Sequence, residues 1–181
     1  QALGRGLVPE AYLFGLVMPG QLLALCANAA QQERWLAPLL EGEHQLALAW
    51  QEHTARYDAF DISTQASQHD GQWQLNGRKD VVMNLGSAAA TLVTAQLPTG
   101  KLGLFIIPAD TQGVTLKTYR TMDDQPAGNL TLDSVALPRE NCLSEDVNDA
   151  LAEVLALGRA ALCAEAIGAM ENACDQTLAY L

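Results

Sequence analysis

Residues Asp70-Gly71-Gln72-Trp73-Gln74-Leu75-Asn76-Gly77 decide the class of the middle of this chain. Asp-Gly and Asn-Gly are two-residue hairpin signals, because both central positions of a type I′ turn take positive φ. Between them polar and apolar residues alternate, the period of a strand with one face in a core. The expectation is a strand with a tight turn at each end. Outward from it, Asp61–Gln68, Lys79–Met83, Thr91–Gln96, Leu102–Ile107, Val114–Thr118 and Asn129–Val135 read as further short strands separated by turn residues. Such a series predicts an antiparallel barrel or sandwich.

The flanks have another character. Residues 1–46 read as helical. Leu13 to Ala29 is apolar but interrupted at Pro19-Gly20, which predicts two helices there. Asn28 followed by Gln31 is a capping-box pattern; the helix it opens would carry Trp35, Leu36, Leu39 and Leu40 on one side, with Gly42 as its stop. After Pro138 the pattern is helical again. Asp146 or Asn148 is placed to cap a helix continuing to Leu181, in which Leu151, Val154, Leu155, Leu162, Ala166, Ile167, Met170, Cys174 and Leu178 recur at three- and four-residue steps. The fold expected is α+β: N-terminal helices over 1–46, a β domain over 47–143, and over 144–181 the first helix of a C-terminal helical bundle. The start at Gln1 and the end inside an amphipathic pattern read as a piece of a longer protein.

Composition narrows the function. With 21 acidic and 10 basic residues among 181, the net charge is −11, which argues against nucleic acid because phosphate binding needs clustered Lys and Arg. No run of about 18 apolar residues is present to span a membrane, and no leader is visible. Cys26, Cys142, Cys163 and Cys174 form no CxxC pair; they read as buried apolar filler in a reducing, cytoplasmic setting. His44, His53 and His69 lack ligand spacing, so no metal site is expected.

Five segments carry a resemblance. They are Gln31-Gln32-Glu33-Arg34-Trp35-Leu36-Ala37-Pro38, Leu48-Ala49-Trp50-Gln51-Glu52, Trp73-Gln74-Leu75-Asn76-Gly77-Arg78-Lys79, Phe105-Ile106-Ile107-Pro108 through Gln112-Gly113-Val114, and Leu132-Asp133-Ser134-Val135-Ala136-Leu137-Pro138. In this order and spacing the chain resembles the acyl-CoA dehydrogenases almost end to end. The resemblance implies FAD as cofactor, an acyl-CoA substrate, desaturation of its acyl group, an electron-transferring flavoprotein or similar acceptor, and a homo- or hetero-oligomer. It also implies which residues line the flavin: Trp50, Gln51, Glu52 and Tyr57 from the first motif, and Val81, Val82, Met83 and Asn84 from the second. Physically, a flavin needs strand-end donors at its polar edge and an apolar platform. Two adjacent strand ends supply both.

The departures are specific. The family usually has Trp-x-Thr-Asn where this chain has Val81-Val82-Met83-Asn84, so a hydroxyl donor to the flavin is replaced by a thioether. Where the family has a Ser that touches cofactor and thioester, this chain has Tyr57, assigned to both cofactor and substrate. These features are similar to the pimeloyl and steroid branch, in which some enzymes pair a competent subunit with a degraded one. A non-catalytic companion subunit and a flavin monooxygenase of the same fold are the alternatives. The plainer readings are a core aromatic for Trp50, a core residue for Met83 and a strand end for Asn84.

The resemblance places a substrate-facing Arg at Arg159; the plainer reading is an Arg that snorkels to solvent or pairs with Glu153 or Glu165. It also places an alternative catalytic base at Gly158, which has no side chain to serve. Glu153 and Glu165 lie about one and a half turns either side at roughly 1.5 Å rise per residue, and Glu52 belongs to the flavin side. No catalytic residue is therefore expected within these residues, and the chain alone is expected to oxidise no acyl-CoA.

Overall fold

Two prolines shape the helical N-terminal part. In the computed structural model, which describes residues 1–8, 10–56 and 58–181, a short helix α1 (Ala2–Arg5) precedes a π-helical turn, Leu13–Val17, that runs directly into α2 (Met18–Cys26). The interruption expected at Pro19-Gly20 does not occur. Pro19 has no N–H to give, but it stands directly after the π turn and the helix runs through it without a break. The second stretch repeats the device: α3 (Ala29–Gln31), a π turn Gln32–Leu36, then α4 (Ala37–Glu41) with Pro38 in its first turn. Asn28 and Gln31 form the reciprocal capping box, and Gly42 closes α4 at φ 77. The wider π turn shifts the phase of the apolar stripe. Leu39 is consequently buried while Leu40, expected beside it, is exposed.

The middle of the chain is one eight-stranded sheet: β1 (Leu46–Ala49), β2 (Gln65–His69), β3 (Gln72–Met83), β4 (Ala90–Gln96), β5 (Leu102–Pro108), β6 (Val114–Arg120), β7 (Pro126–Leu137) and β8 (Cys142–Ser144), in the order β6-β7-β3-β2-β4-β5-β8 with β1 on β4. Most pairings are antiparallel, as expected of this series of short strands; β1 runs parallel to β4 in the register Leu46↔Ala90, and β2 touches β4 in parallel at Gln65↔Gln96. Asp70-Gly71 makes the expected hairpin turn between β2 and β3, with φ of 47 and 80. Asn76-Gly77 does not turn. It lies inside β3 at a register shift, where the Asn76 carboxamide accepts the Ser134 N–H at 2.7 Å. Gly77 is there for close approach: a Cβ on it would sit 2.5 Å from Thr64 Oγ1 and 2.7 Å from Thr64 Cα.

Alternation along β1, β4 and β5 splits the interior in two. Leu46, Leu48, Leu92, Leu104 and Ile106 face the N-terminal helices and the start of the last helix. Ala47, Ala49, Val93, Phe105 and Ile107 face β3 and β7, where Trp73 meets Phe105 edge-on with ring centroids 5.2 Å apart. The sheet thus folds over its own core, as a sandwich does.

The last helix, α5 (Asn148–Tyr180), is capped by Val147, not by the side chain of Asp146 or Asn148. Val147 is fully buried and its carbonyl takes the Leu151 N–H at 2.8 Å, so packing fixes this start. Leu151, Val154 and Leu155 are buried, but Leu162, Ile167, Met170 and Leu178 are exposed. Cys163 and Cys174 are exposed too, contrary to the expectation of buried filler, and Cys26 and Cys142 are half-buried. Beyond Arg159, the short α1 is the main element against α5. The two cross at backbone contact: a Cβ on Gly168 would lie 2.1 Å from the Gln1 carbonyl oxygen. Among the described residues no helix is long and apolar enough to cross a membrane, and no group of three potential metal ligands occurs.

Candidate active-site cleft

The exit of β1 and the end of β3 lie side by side. The Asp80 N–H donates to the Gln51 carbonyl at 3.0 Å, which ties one strand end to the other. The approach depends on a bulge. Lys79 pairs with Leu130 and Val82 with Gly128, so Asp80 and Val81 together oppose Asn129. Val81 takes φ 54, a left-handed conformation that costs a β-branched residue energy, and its N–H donates to Asn129 Oδ1 at 3.2 Å. A bulge re-aims side chains. Here it buries Lys79 and Asp80 in succession and leaves Val81 outside.

Outside those strand ends is a cleft of about 250 Å³. Trp50, Gln51, Val81 and Met83 form its strand-end wall, Phe14, Met18 and Leu48 its floor, and Leu155, Gly158, Arg159 and Leu162 of α5 the far side. Phe14 and Leu162 also line an adjoining groove with Tyr12, Glu10, Asp123 and Glu165. The wall is apolar except for one carboxamide and one guanidinium. That donor set fits a flat ring system with a polar edge. Among the described residues no ion pair joins Arg159 to Glu153 or Glu165, so its charge is free at the cleft.

Other residues named from the sequence are placed elsewhere. Val82 packs in the core with Trp73 and Leu75. Asn84 is buried at φ 62, where its Nδ2 donates to the Leu46 carbonyl at 3.0 Å. Tyr57 lies outside the described residues. Glu52 turns inward, next to Gln51 but away from the cleft. One carboxylate oxygen accepts Lys79 Nζ at 2.7 Å, Thr64 Oγ1 at 2.6 Å and the Thr64 N–H at 3.1 Å. The other accepts the Ser63 N–H at 2.8 Å and the Ser63 hydroxyl. Lys79 has no exposed side-chain surface, and its second partner is Thr94 Oγ1 at 3.1 Å.

Burial pushes the Glu52 carboxyl up, but the Lys79 charge and the hydrogen bonds from Lys79, Ser63 and Thr64 outweigh it and bring the group to about 2. Burial also lowers Lys79, to about 8, against the pull of Glu52. A carboxyl whose folded value lies below its unfolded value of 4.5 contributes stability above that value and loses it as pH falls. Between about pH 4.5 and pH 2 the protein is expected to lose roughly 3 kcal/mol from this group. Urea unfolding at pH 6 and pH 3 reads about 2 kcal/mol of that loss; the same loss in Glu52→Gln would assign it to another carboxylate.

Sequence reasoning missed Lys79, Phe14, Met18 and Leu48. A lysine followed by Asp80-Val81-Val82 in an apolar strand was a signal that its charge has a buried partner. The three floor residues gave none, since they reach the cleft only through tertiary packing.

Residues 47–135 match the family described as acyl-CoA dehydrogenase, middle domain. The chain is 27% identical over 162 residues to the short-chain specific acyl-CoA dehydrogenase of Mus musculus mitochondria, an alignment covering 84% of this chain and 39% of that protein. Butyryl-CoA dehydrogenase from Megasphaera elsdenii superposes with a TM-score of 0.86 at 28% identity, over 93% of this chain and 46% of that one. Glutaryl-CoA dehydrogenase from Mycobacterium smegmatis, solved in complex with FADH2, superposes with a TM-score of 0.83 at 26% identity, over 91% and 43%. The chain thus spans less than half the length of these relatives. Residues 47–135 thus belong to the acyl-CoA dehydrogenase middle-domain family, and the chain around them is similar in sequence and fold to members of that family.

Proposed function

We propose that the cleft is the flavin side of an acyl-CoA dehydrogenase site, and that the protein carrying it desaturates an acyl-CoA. The observation that carries this reading is the junction of the two strand ends at an apolar cleft with a free guanidinium opposite. Trp50, Val81 and Met83 would hold the flavin ring by apolar contact, and the Gln51 carboxamide would meet its polar edge. FAD, when bound, accepts the hydride that leaves the acyl chain. Arg159 would hold polar groups of the acyl-CoA by paired donors. An electron-transferring flavoprotein or a similar carrier would take the electrons onward. The divisions at 1–46, 47–143 and 144–181, a cytoplasmic setting and an oligomeric enzyme belong to the same proposal.

Among the described residues no carboxylate lines the cleft as a base. Glu52 is committed to Lys79, Gly158 has no side chain, and Glu153 and Glu165 do not line the cleft. The base that removes the proton next to the thioester would come from residues outside these 181. A different observation favours a second reading, a companion subunit that binds without catalysing: Met83 stands at the cleft where the family usually has a hydroxyl donor to the flavin.

Visible absorption of the complete protein tests the cofactor; a colourless protein that no added FAD converts would refute it. Arg159→Lys is expected to raise the Michaelis constant for acyl-CoA about tenfold while flavin content stays normal. An unchanged constant would return Arg159 to a solvent role. Flavin binding without turnover of any acyl-CoA would favour the companion subunit.

A further inference from the structure

The cleft wall is held from behind by a group that the proposed chemistry does not use. Trp50 and Gln51 form half of the strand-end wall, yet β1 ends at Ala49. The residues that follow are fixed by the next side chain, Glu52, whose carboxylate gathers five donors from three residues. Ser63 and Thr64 come from the irregular segment just before β2, and Lys79 comes from β3. Lys79 in turn reaches Thr94 on β4, the strand that pairs with β1. Gly77 leaves the space in which Thr64 lies against β3. The bulge supplies the direction: it sets Lys79 inward immediately before Asp80, whose N–H holds the Gln51 carbonyl.

We infer that Lys79 is a positioning residue for the cleft, acting through Glu52 to fix Trp50 and Gln51 against Val81. The inference rests on the flavin reading for its functional consequence, though the tether itself does not need a flavin. Lys79 touches nothing in the cleft. Its ammonium sets where the Glu52 carboxylate sits, and the Glu52 main chain continues directly into Gln51. Loss of either partner leaves the other charge buried and unpaired, so the segment must move to bring it toward water. That movement opens the wall.

Four variants of the complete protein test this: Lys79→Met, Glu52→Gln, the double variant, and Leu137→Ala. Leu137 is buried at the other end of β3, opposite Trp73, and serves as a control for loss of stability alone. Two readings are taken below the melting transition of each: the exchange rate of the Asp80 amide, and the dissociation constant for added FAD by flavin fluorescence. Lys79→Met and Glu52→Gln are expected to speed Asp80 exchange and weaken FAD binding, each at least about tenfold beyond a Leu137→Ala protein with the same fall in melting temperature. The double variant is expected to be no worse than the single ones, because both break one tether. Should Lys79→Met not fold, Thr94→Val, which removes only the second lysine partner, is expected to give a loss of about threefold in both readings. Effects equal to those of Leu137→Ala, or additive in the double variant, would overturn the positioning role. A wild-type protein that binds no FAD would refute the flavin reading, and Asp80 exchange would still decide the tether.

Discussion

Lys79→Met is expected to lower the free energy of unfolding by about 3–5 kcal/mol. The side chain is fully buried, and Glu52, its partner at 2.7 Å, is almost so. Methionine fills nearly the same volume, so the loss comes from electrostatics and not from a cavity. The carboxylate keeps its donors from Ser63 and Thr64 but loses its only cation. Lys79→Met with Glu52→Leu should recover most of the loss, since an apolar pair of similar size often replaces a buried ion pair at little cost. Urea unfolding of both proteins measures the difference. A cost below about 1 kcal/mol for Lys79→Met would mean that the pair is solvated, as surface ion pairs are.

Gly77→Val is expected to cost about 2–4 kcal/mol, from overpacking and backbone strain together. Gly77 takes φ 153, which a β-branched residue resists, and its Cβ would meet the Thr64 backbone as well as its hydroxyl. Neither strand can yield freely, because Thr64 is held by Glu52 and β3 by its pairing with β7. Thermal unfolding reads the effect. Gly77→Ala separates its causes: if alanine costs as much as valine, the Thr64 contact dominates, and if alanine is nearly neutral the strand has room to shift. An unchanged melting temperature in Gly77→Val would show that the approach of Thr64 is not tight.

The features legible in the sequence were those settled by near neighbours. Asn28 and Gln31 cap each other across one turn, Gly42 ends its helix, and Asp70-Gly71 turns between strands that pair immediately. Asn76-Gly77 carries the same local signal and means something else. Its glycine answers to Thr64, thirteen positions earlier in the chain, and its asparagine to Ser134. Pro19 gave a false break because the π turn before it is not visible as a pattern. The helix α5 is legible in the pattern, but only Leu151, Val154 and Leu155 of the expected stripe are buried, because burial needs neighbours that a single helix cannot reveal. The cleft divides in the same way. The resemblance named Trp50, Gln51, Val81, Met83 and Arg159, which line it. It also named Glu52, which stands in the same motif but faces the opposite way. Which side of a strand end a residue takes depends on the bulge at Asp80 and Val81. No residue in that stretch announces the bulge, since no glycine marks it.

The parallel pairing of β1 with β4 has a kinetic consequence. Antiparallel neighbours such as β2 and β3 meet through a two-residue turn, but Leu46 reaches Ala90 only after the intervening hairpin and the 53–64 loop are in place. Contacts that close long loops form late, because the chain entropy is lost before the contact is gained. β1 and the residues that follow it are therefore expected to join after the folding barrier, with the β2–β3 hairpin and the β4–β5 pair formed before it. Ala47→Gly is expected to speed unfolding and leave the folding rate unchanged, whereas Ala66→Gly in β2 should slow folding. Stopped-flow measurement of the two arms decides it, and a slowed folding arm in Ala47→Gly would place β1 in the nucleus. On this order of events the Trp50–Gln51 side of the cleft wall is expected to form late and to be lost early.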